Sequence, residues 1–255
     1  MMLDQKKYLN KLSGQRVLVL GGSAGIGYGV AEACLEFGCS VFISSSREQR
    51  VKNAVAQLQE AYPSKKEKIK GYVCDLGVED VESKLIELMG KVGEVHHVVY
   101  TAGDKLAQMP LAEMSITKIK DAGQIRYFAP LLLAKHLPKS TKSYTLTSGG
   151  VAFKPNKGWS IIAGYASALH ALTRNLALDL APVRVNLISP GAVDTDLWAG
   201  MAIDDKKKLF EHISKGTLTG KVGRVEDVVE GYLAFMRDSN VTGSIYSTDG
   251  GHVLA

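Results

Sequence analysis

Residues 16–38 read RVLVLGGSAGIGYGVAEACLEFG, and this stretch decides the fold of the 255-residue chain. Arg16 to Leu20 is a short, continuous apolar run, which reads as a buried parallel strand. Val30, Ala33, Cys34 and Phe37 then recur at helical spacing, and Gly38 ends the helix as a C-cap. Between strand and helix stand Gly21, Gly25 and Gly27, spaced G-x-x-x-G-x-G. The first permits a tight turn, the second lets backbone approach a phosphate, and the third lets the helix pack closely on the strand. A pyrophosphate then meets the positive N-terminus of the helix. Glycines alone are a weak signal; their place between a strand and a helix near the start of the chain strengthens it.

The same alternation continues outward. Strands are expected at Ser40–Ile43, Ile69–Val73, Val95–Tyr100, at a run ending in Thr147-Ser148, at Val183–Ile188 and at Gly243–Thr248. Helices are expected from Arg47 through Leu58, on the face Val81, Leu85, Leu88 and Met89, over Ser115–His136, from about Ser160, and over Val225–Met236. Strands alternating with helices give an α/β fold with a parallel, doubly wound sheet. At this length one domain covers residues 1–255, with residues 1–12 as a polar N-terminal extension. Residues 196–222 are expected as a substrate flap, polar and mobile around Ile203 to Ser214.

Composition narrows the role. The chain is 45% hydrophobic and 22% charged with a net charge of +5, and its basic residues are scattered apart from Lys65, Lys66, Lys68 and Lys70 and from Lys206 to Lys208. A small-molecule role is therefore expected, with no nucleic-acid partner. The three cysteines, Cys34, Cys39 and Cys74, read as small buried apolar residues in a reducing compartment. The first 16 residues are polar and no run is long enough to span a bilayer, so a cytoplasmic protein without a membrane partner is expected. His96 and His97 have no third ligand near them in sequence, and no metal is expected.

The second strand ends in Ser44-Ser45-Ser46-Arg47. An acidic residue there would hold the ribose 2′-hydroxyl of NAD; hydroxyls and a cation suit a 2′-phosphate, which makes Ser45, Ser46 and Arg47 contacts to NADP(H). Ser46 doubles as the N-cap of the next helix.

The ordered pieces GGSAGIG, CDL with Asp75, TAG at Thr101–Gly103, TS at Thr147-Ser148, RVNLISPGAVDT at Arg184–Thr195 and TGSIYSTDGG resemble the short-chain dehydrogenase/reductase family from about Ser13 to Val253. The resemblance implies a Rossmann-type sheet and cofactor contacts at Gly21, Ser23, Ile26, Asp75, Leu76, Thr101, Ala102, Gly103, Pro190, Gly191, Val193 and Thr195. It also implies that the helices from Ser115 and Ser160 form a subunit interface, giving a homodimer or homotetramer. The implied reaction is hydride transfer between a nicotinamide and a carbonyl or alcohol, using a Tyr with a Lys four residues later, a Ser on the substrate oxygen and an Asn on the preceding long helix.

Ser148 matches the family's Ser, and the Asn position holds Arg126. Taking Tyr165 as the family's Tyr puts Leu169 at the Lys position; aligning without a gap from ALTRNLALDLAPVRVN puts Ile162 and Ala166 there instead. The second register is preferred, because it sets the Tyr position 14 residues after Ser148, near the family's usual separation, rather than 17. Either way the Lys is missing. An always-charged guanidinium in such a site needs an anionic partner, and Asp104 directly after the TAG turn is the candidate. Arg126 on a helix surface, with Asp104 capping the next element, is the bland alternative.

Three functions follow. One is an NADPH-dependent reductase using Ser148, Arg126 and Asp104 on an imine, iminium or activated carbonyl in secondary metabolism, since hydride addition to an iminium creates no oxyanion to protonate. The second is a conventional carbonyl reductase with Tyr165 as proton donor. The third is a catalytically silent NADPH-binding protein.

Overall fold

The computed structural model describes residues 5–255. Of the expected N-terminal extension, residues 1–4 lie outside the described residues. Its later part is not a loose appendage: Leu12, in a turn of 3-10 helix over Leu9–Leu12, is 1% exposed and accepts a bond from the Cys39 thiol through its carbonyl.

The strands are β1 (Arg16–Leu20), β2 (Ser40–Ser45), β3 (Ile69–Val73), β4 (His97–Tyr100), β5 (Ser143–Thr147), β6 (Arg184–Pro190) and β7 (Ile245–Thr248). All pair in parallel in one sheet, in the order β3-β2-β1-β4-β5-β6-β7. This is the doubly wound α/β sheet expected from the alternation of elements. The helices are α1 (Gly25–Glu36), α2 (Glu48–Ala61), α3 (Val81–Val92), α4 (Ile116–Gly123), α5 (Ala129–Ala134), α6 (Ser160–Asp179), α7 (Ile203–Lys215) and α8 (Val225–Arg237).

Successive strand side chains point to opposite faces, so each strand feeds two cores. Val17, Val19, Val41 and Ile43 join α1, α2 and α8 on one face; Leu18, Leu20, Val98 and Leu146 join α3, α5 and α6 on the other. Chain order reverses at β1, which lies between β2 and β4. The carboxyl ends of β1 and β4 therefore bound the crevice where ligands bind in such sheets.

Two local differences from the sequence reading have physical causes. Gly38 is not the cap itself: Phe37 is, and Gly38 takes the left-handed turn beyond it with φ +85°. The helix expected over Ser115–His136 is interrupted by a π turn at Gln124–Phe128. The segment expected as a substrate flap contains the regular helix α7. Val193 bridges Gly223, and the Thr219 N–H donates to Gly250 O at 3.1 Å. Lys206 reaches back to Asp194 at 2.7 Å.

Candidate functional site

The glycine turn after β1 is built as a cradle. Gly21 has φ +85°, and a Cβ on it would stand 2.6 Å from the backbone nitrogen of Ala102. A Cβ on Gly27 would strike the Gly21 carbonyl and the Thr101 hydroxyl, which itself donates to Leu20 O at 2.9 Å. Only glycine lets α1 start this close to the two central strands. Gly25, at φ +53°, faces the Thr195 side chain at 3.2 Å from a built Cβ, so the loop after β6 closes over the start of α1. Neither Ala24 nor any other side chain caps α1, which leaves its first N–H groups pointing at the crevice.

Most of the residues expected to contact a cofactor lie at or just beyond the carboxyl ends of the strands. Ser23 Oγ donates to Ser45 Oγ at 2.9 Å, tying the glycine turn to the end of β2, and Ser46 and Arg47 beside it are exposed. Helix α2 begins at Glu48 with Arg47 at the cap position, one residue later than the expected Ser46. Asp75 Oδ1 accepts from the Gly77 N–H at 2.9 Å and so shapes its own turn, while Leu76 is buried. Gly191 donates to Thr248 O at 3.0 Å and has no room for a side chain against Asp249; Val193 is buried. Ile26 packs on the core beneath α1. These features fit a dinucleotide: a cradle a Cβ would fill, a helix N-terminus for the phosphates, and two hydroxyls with a cation at the ribose end.

The other half of the site departs from the family's chemistry. Arg126 lies in the π turn and donates through Nε to Asp104 Oδ1 at 2.9 Å and through Nη2 to the Asp104 carbonyl. The guanidinium covers Gly103, and the pair is partly exposed, 29% and 37% for the two side chains. The structure thus brings together the two charged residues that sequence alone left as a possible pair. Two further bonds hold the turn: the Tyr100 hydroxyl donates to Ile125 O at 2.5 Å, and Gln124 Nε2 donates to Val78 O at 2.9 Å. Tyr100 is a residue the sequence reading passed over as the end of a strand. The signal was a phenol closing an otherwise apolar run directly before Thr101.

Ser148 directly follows β5. Its hydroxyl donates to Ala166 O on α6 at 2.9 Å. Beyond it, Gly149 and Gly150 carry the chain past Pro190 as bare backbone. Ile162 and Ala166, each 8% exposed, occupy the α6 turn nearest Ser148, in keeping with the gap-free register.

Tyr165 points elsewhere. Its hydroxyl donates to Ile119 O on α4 at 3.0 Å, and its ring fits over Gly123, where any side chain would collide, beside Tyr127 and Phe128. Burial first, and Tyr127 second, push its pKa up rather than down. A proton donor for an alkoxide needs the opposite shift and a free hydroxyl, so the Tyr165 proton-donor expectation is corrected: Tyr165 joins α6 to α4.

His96 and His97 are strand residues. His96 Nδ1 accepts from the Arg16 N–H at 2.9 Å, and His97 Nδ1 shares a bond with Ser143 Oγ at 2.7 Å. All three cysteines are buried thiols. Among the described residues, no helix is long and apolar enough to cross a membrane.

The sheet order, the glycine cradle and the TAG turn define a dinucleotide-binding oxidoreductase fold, and the family model for the SDR-like Rossmann domain matches residues 8–255. The chain belongs to the short-chain dehydrogenase/reductase family. It is 42% identical to the short-chain dehydrogenase/reductase fsr5 of Gibberella fujikuroi, over 100% of both chains. It superimposes with a TM-score of 0.91 on the MalC Reductase/Diels-Alderase of Malbranchea aurantiaca, at 37% identity over 97% of this chain and 100% of that one. A small-chain dehydrogenase solved in complex with NADPH matches at TM-score 0.75 and 27% identity, over 95% of this chain and 100% of that one.

Proposed function

We propose that this chain is a cytosolic NADPH-dependent reductase of secondary metabolism that delivers hydride to the carbon of an imine, an iminium ion or an activated carbonyl, with Arg126 and Asp104 beside the reacting atoms. One observation carries the reading: the crevice holds an ion pair at 2.9 Å beside Gly103, while the α6 face next to it carries Ile162 and Ala166 and no acid. The relatives bear on it by name, one being a reductase and another an NADPH complex.

When bound, the nicotinamide supplies the hydride. The protein's part is to hold and orient. The N–H groups at the start of α1 take the phosphates, and Ser45, Ser46 and Arg47 take the 2′-phosphate. Asp104 gives one oxygen to Arg126 and keeps the other for a cation. A carboxylate about 4 Å from an iminium nitrogen attracts it by about 4 kcal/mol at an effective dielectric of about 20, a gain that repulsion from the Arg126 charge partly offsets. Arg126 holds the carboxylate in place. Hydride addition turns an iminium ion into a neutral amine, so no side chain has to give a proton; a neutral imine takes its proton from water before the hydride arrives, and an activated carbonyl takes one from water as the alkoxide forms. Ketone reduction lacks that escape and loses general acid catalysis worth on the order of 10²- to 10⁴-fold.

The same reading makes the exposed faces of α4, α5 and α6, with Ile116, Leu131 and Leu178 on them, the contact between two copies of the chain. Light scattering reads that directly.

The test is NADPH oxidation followed over a panel of cyclic imines, N-alkyl iminium salts and ketones. Turnover of the first two with little of the third supports the reading, and Asp104→Asn then lowers it by about 10- to 100-fold. Tight NADPH binding with no turnover of any member favours a silent binding protein.

A further inference from the structure

We infer that Tyr100 is the positioning residue that holds Arg126 over Gly103, by supplying the one hydrogen bond the π turn cannot make for itself. The inference rests on the functional reading of Arg126 given above. In the turn Gln124–Phe128, the Ala129 N–H donates to Gln124 O, five residues back, in place of Ile125 O. The next candidate donor, five residues on from Ile125, is residue 130, and that residue is Pro130, which has no N–H. Ile125 O is thereby deprived of both its α and its π partner. The Tyr100 hydroxyl fills the vacancy at 2.5 Å.

Tyr100 is well placed to impose geometry. Its side chain is 3% exposed, and its backbone is the last residue of β4, paired to Leu20 of β1. Its own carbonyl accepts from Thr147 Oγ1 at 2.7 Å, which fixes it to β5 as well. The phenol thus carries the rigid centre of the sheet to the middle of the π turn. Arg126 is the residue after Ile125, and Thr101-Ala102-Gly103-Asp104 follow Tyr100, so one side chain sets the distance between the guanidinium and the turn it covers. Without that bond Ile125 O has to recover a backbone donor, and the helix rewinds locally toward α geometry, which rotates Arg126 off Asp104.

The same helical run offers an internal control. The Tyr144 hydroxyl donates to Pro130 O at 2.9 Å, also from a fully buried tyrosine on a central strand, but beyond the π turn. Tyr100→Phe and Tyr144→Phe each remove one buried phenol bond to the same run, and they differ only in whether the π turn is the target.

The readout is solvent exchange of the Arg126 Nε–H in the full chain, followed by ¹⁵N NMR and assigned by its loss in Arg126→Lys, together with turnover of 3,4-dihydroisoquinoline by NADPH. Tyr100→Phe is expected to speed that exchange about tenfold. It is also expected to lower kcat about tenfold while KM for NADPH stays within about twofold. Tyr144→Phe changes neither, although it lowers Tm to a similar degree. Unchanged Arg126 exchange in Tyr100→Phe, or an equal change in Tyr144→Phe, overturns the inference. Full turnover by Arg126→Ala sinks the functional reading instead, and the exchange measurement still decides the positioning role.

Discussion

The Arg126 guanidinium occupies the space that a side chain on Gly103 would fill: a Cβ there would stand 3.0 Å from both Nη atoms and 3.1 Å from Cζ. The turn after β4 and the π turn are thus one unit, and any ligand lying on the backbone of Gly103 meets the cation as well. Gly103 does not sit at positive φ, so alanine suits its backbone, and the neighbour that must yield is the flexible end of an arginine. Gly103→Ala is expected to keep Tm within about 2 °C of the parent. It is expected to cut reductase turnover about tenfold by displacing the guanidinium. A thermal melt beside a kcat measurement checks both, and unchanged turnover would mean that the cover over Gly103 is incidental.

Tyr165→Phe removes a hydroxyl bonded to Ile119 O at the α4–α6 contact and leaves the ring over Gly123. The expected cost is about 0.5–1.5 kcal/mol of stability in denaturant unfolding. Turnover should stay within about twofold. Loss of carbonyl or imine reduction on this change would return Tyr165 to the site.

Arg47 stands exposed beside Ser45 and Ser46, directly after β2. A charge-assisted contact to a phosphate is worth about 1.5–3 kcal/mol, so Arg47→Ala is expected to weaken NADPH about 10- to 100-fold. NADH, with no 2′-phosphate, should be affected less than about twofold. Fluorescence titration with both cofactors decides, and equal weakening of the two would remove the NADP preference.

The pH dependence of stability has an identified contributor in His97. Burial, with the Arg184, His96 and Lys142 charges adding, pushes its pKa down from 6.5 to about 3. A folded pKa below the unfolded one means that the unfolded chain binds the proton first, so the contribution is full above pH 6.5 and is lost as pH falls toward 3. At pH 5 the loss is about 2 kcal/mol, from about 1.4 kcal/mol per pH unit. His97→Gln is expected to be less stable at pH 8 but to lose less between pH 7 and 5. His96 and His170, also shifted down, act alike in both proteins, so the difference in slope isolates His97. Parallel unfolding curves would assign the acid sensitivity elsewhere.

The strand and helix order was legible because buried parallel strands and amphipathic helices write their own periodicities. β1 and β3 fall on the expected residues, and Val81, Leu85, Leu88 and Met89 form the buried face of α3. The glycine cradle was legible because Gly21 and Gly27 answer local constraints a few residues apart. The helix inside the flap was less legible because Ile203–Lys215 is polar; it meets the rest of the chain through Trp198, Phe210 and the Lys206–Asp194 pair, which are contacts between separate segments. The Ser148 bond to Ala166 O was not legible because a motif gives a residue its place and not the direction of its proton.

By itself the sequence determined the α/β sheet, the glycine turn after β1 and the absence of a Lys four residues after either tyrosine position, since each is a property of residues close in the chain. Only the tertiary structure decided what the charged and hydroxyl groups are doing. Arg126 meets Asp104 across 22 residues, Tyr100 reaches Ile125 across 25, and Tyr165 turns 46 residues back to Ile119. Direction and partnership of that kind depend on which strands and helices lie side by side, and β4 and the π turn become neighbours only once the sheet has formed.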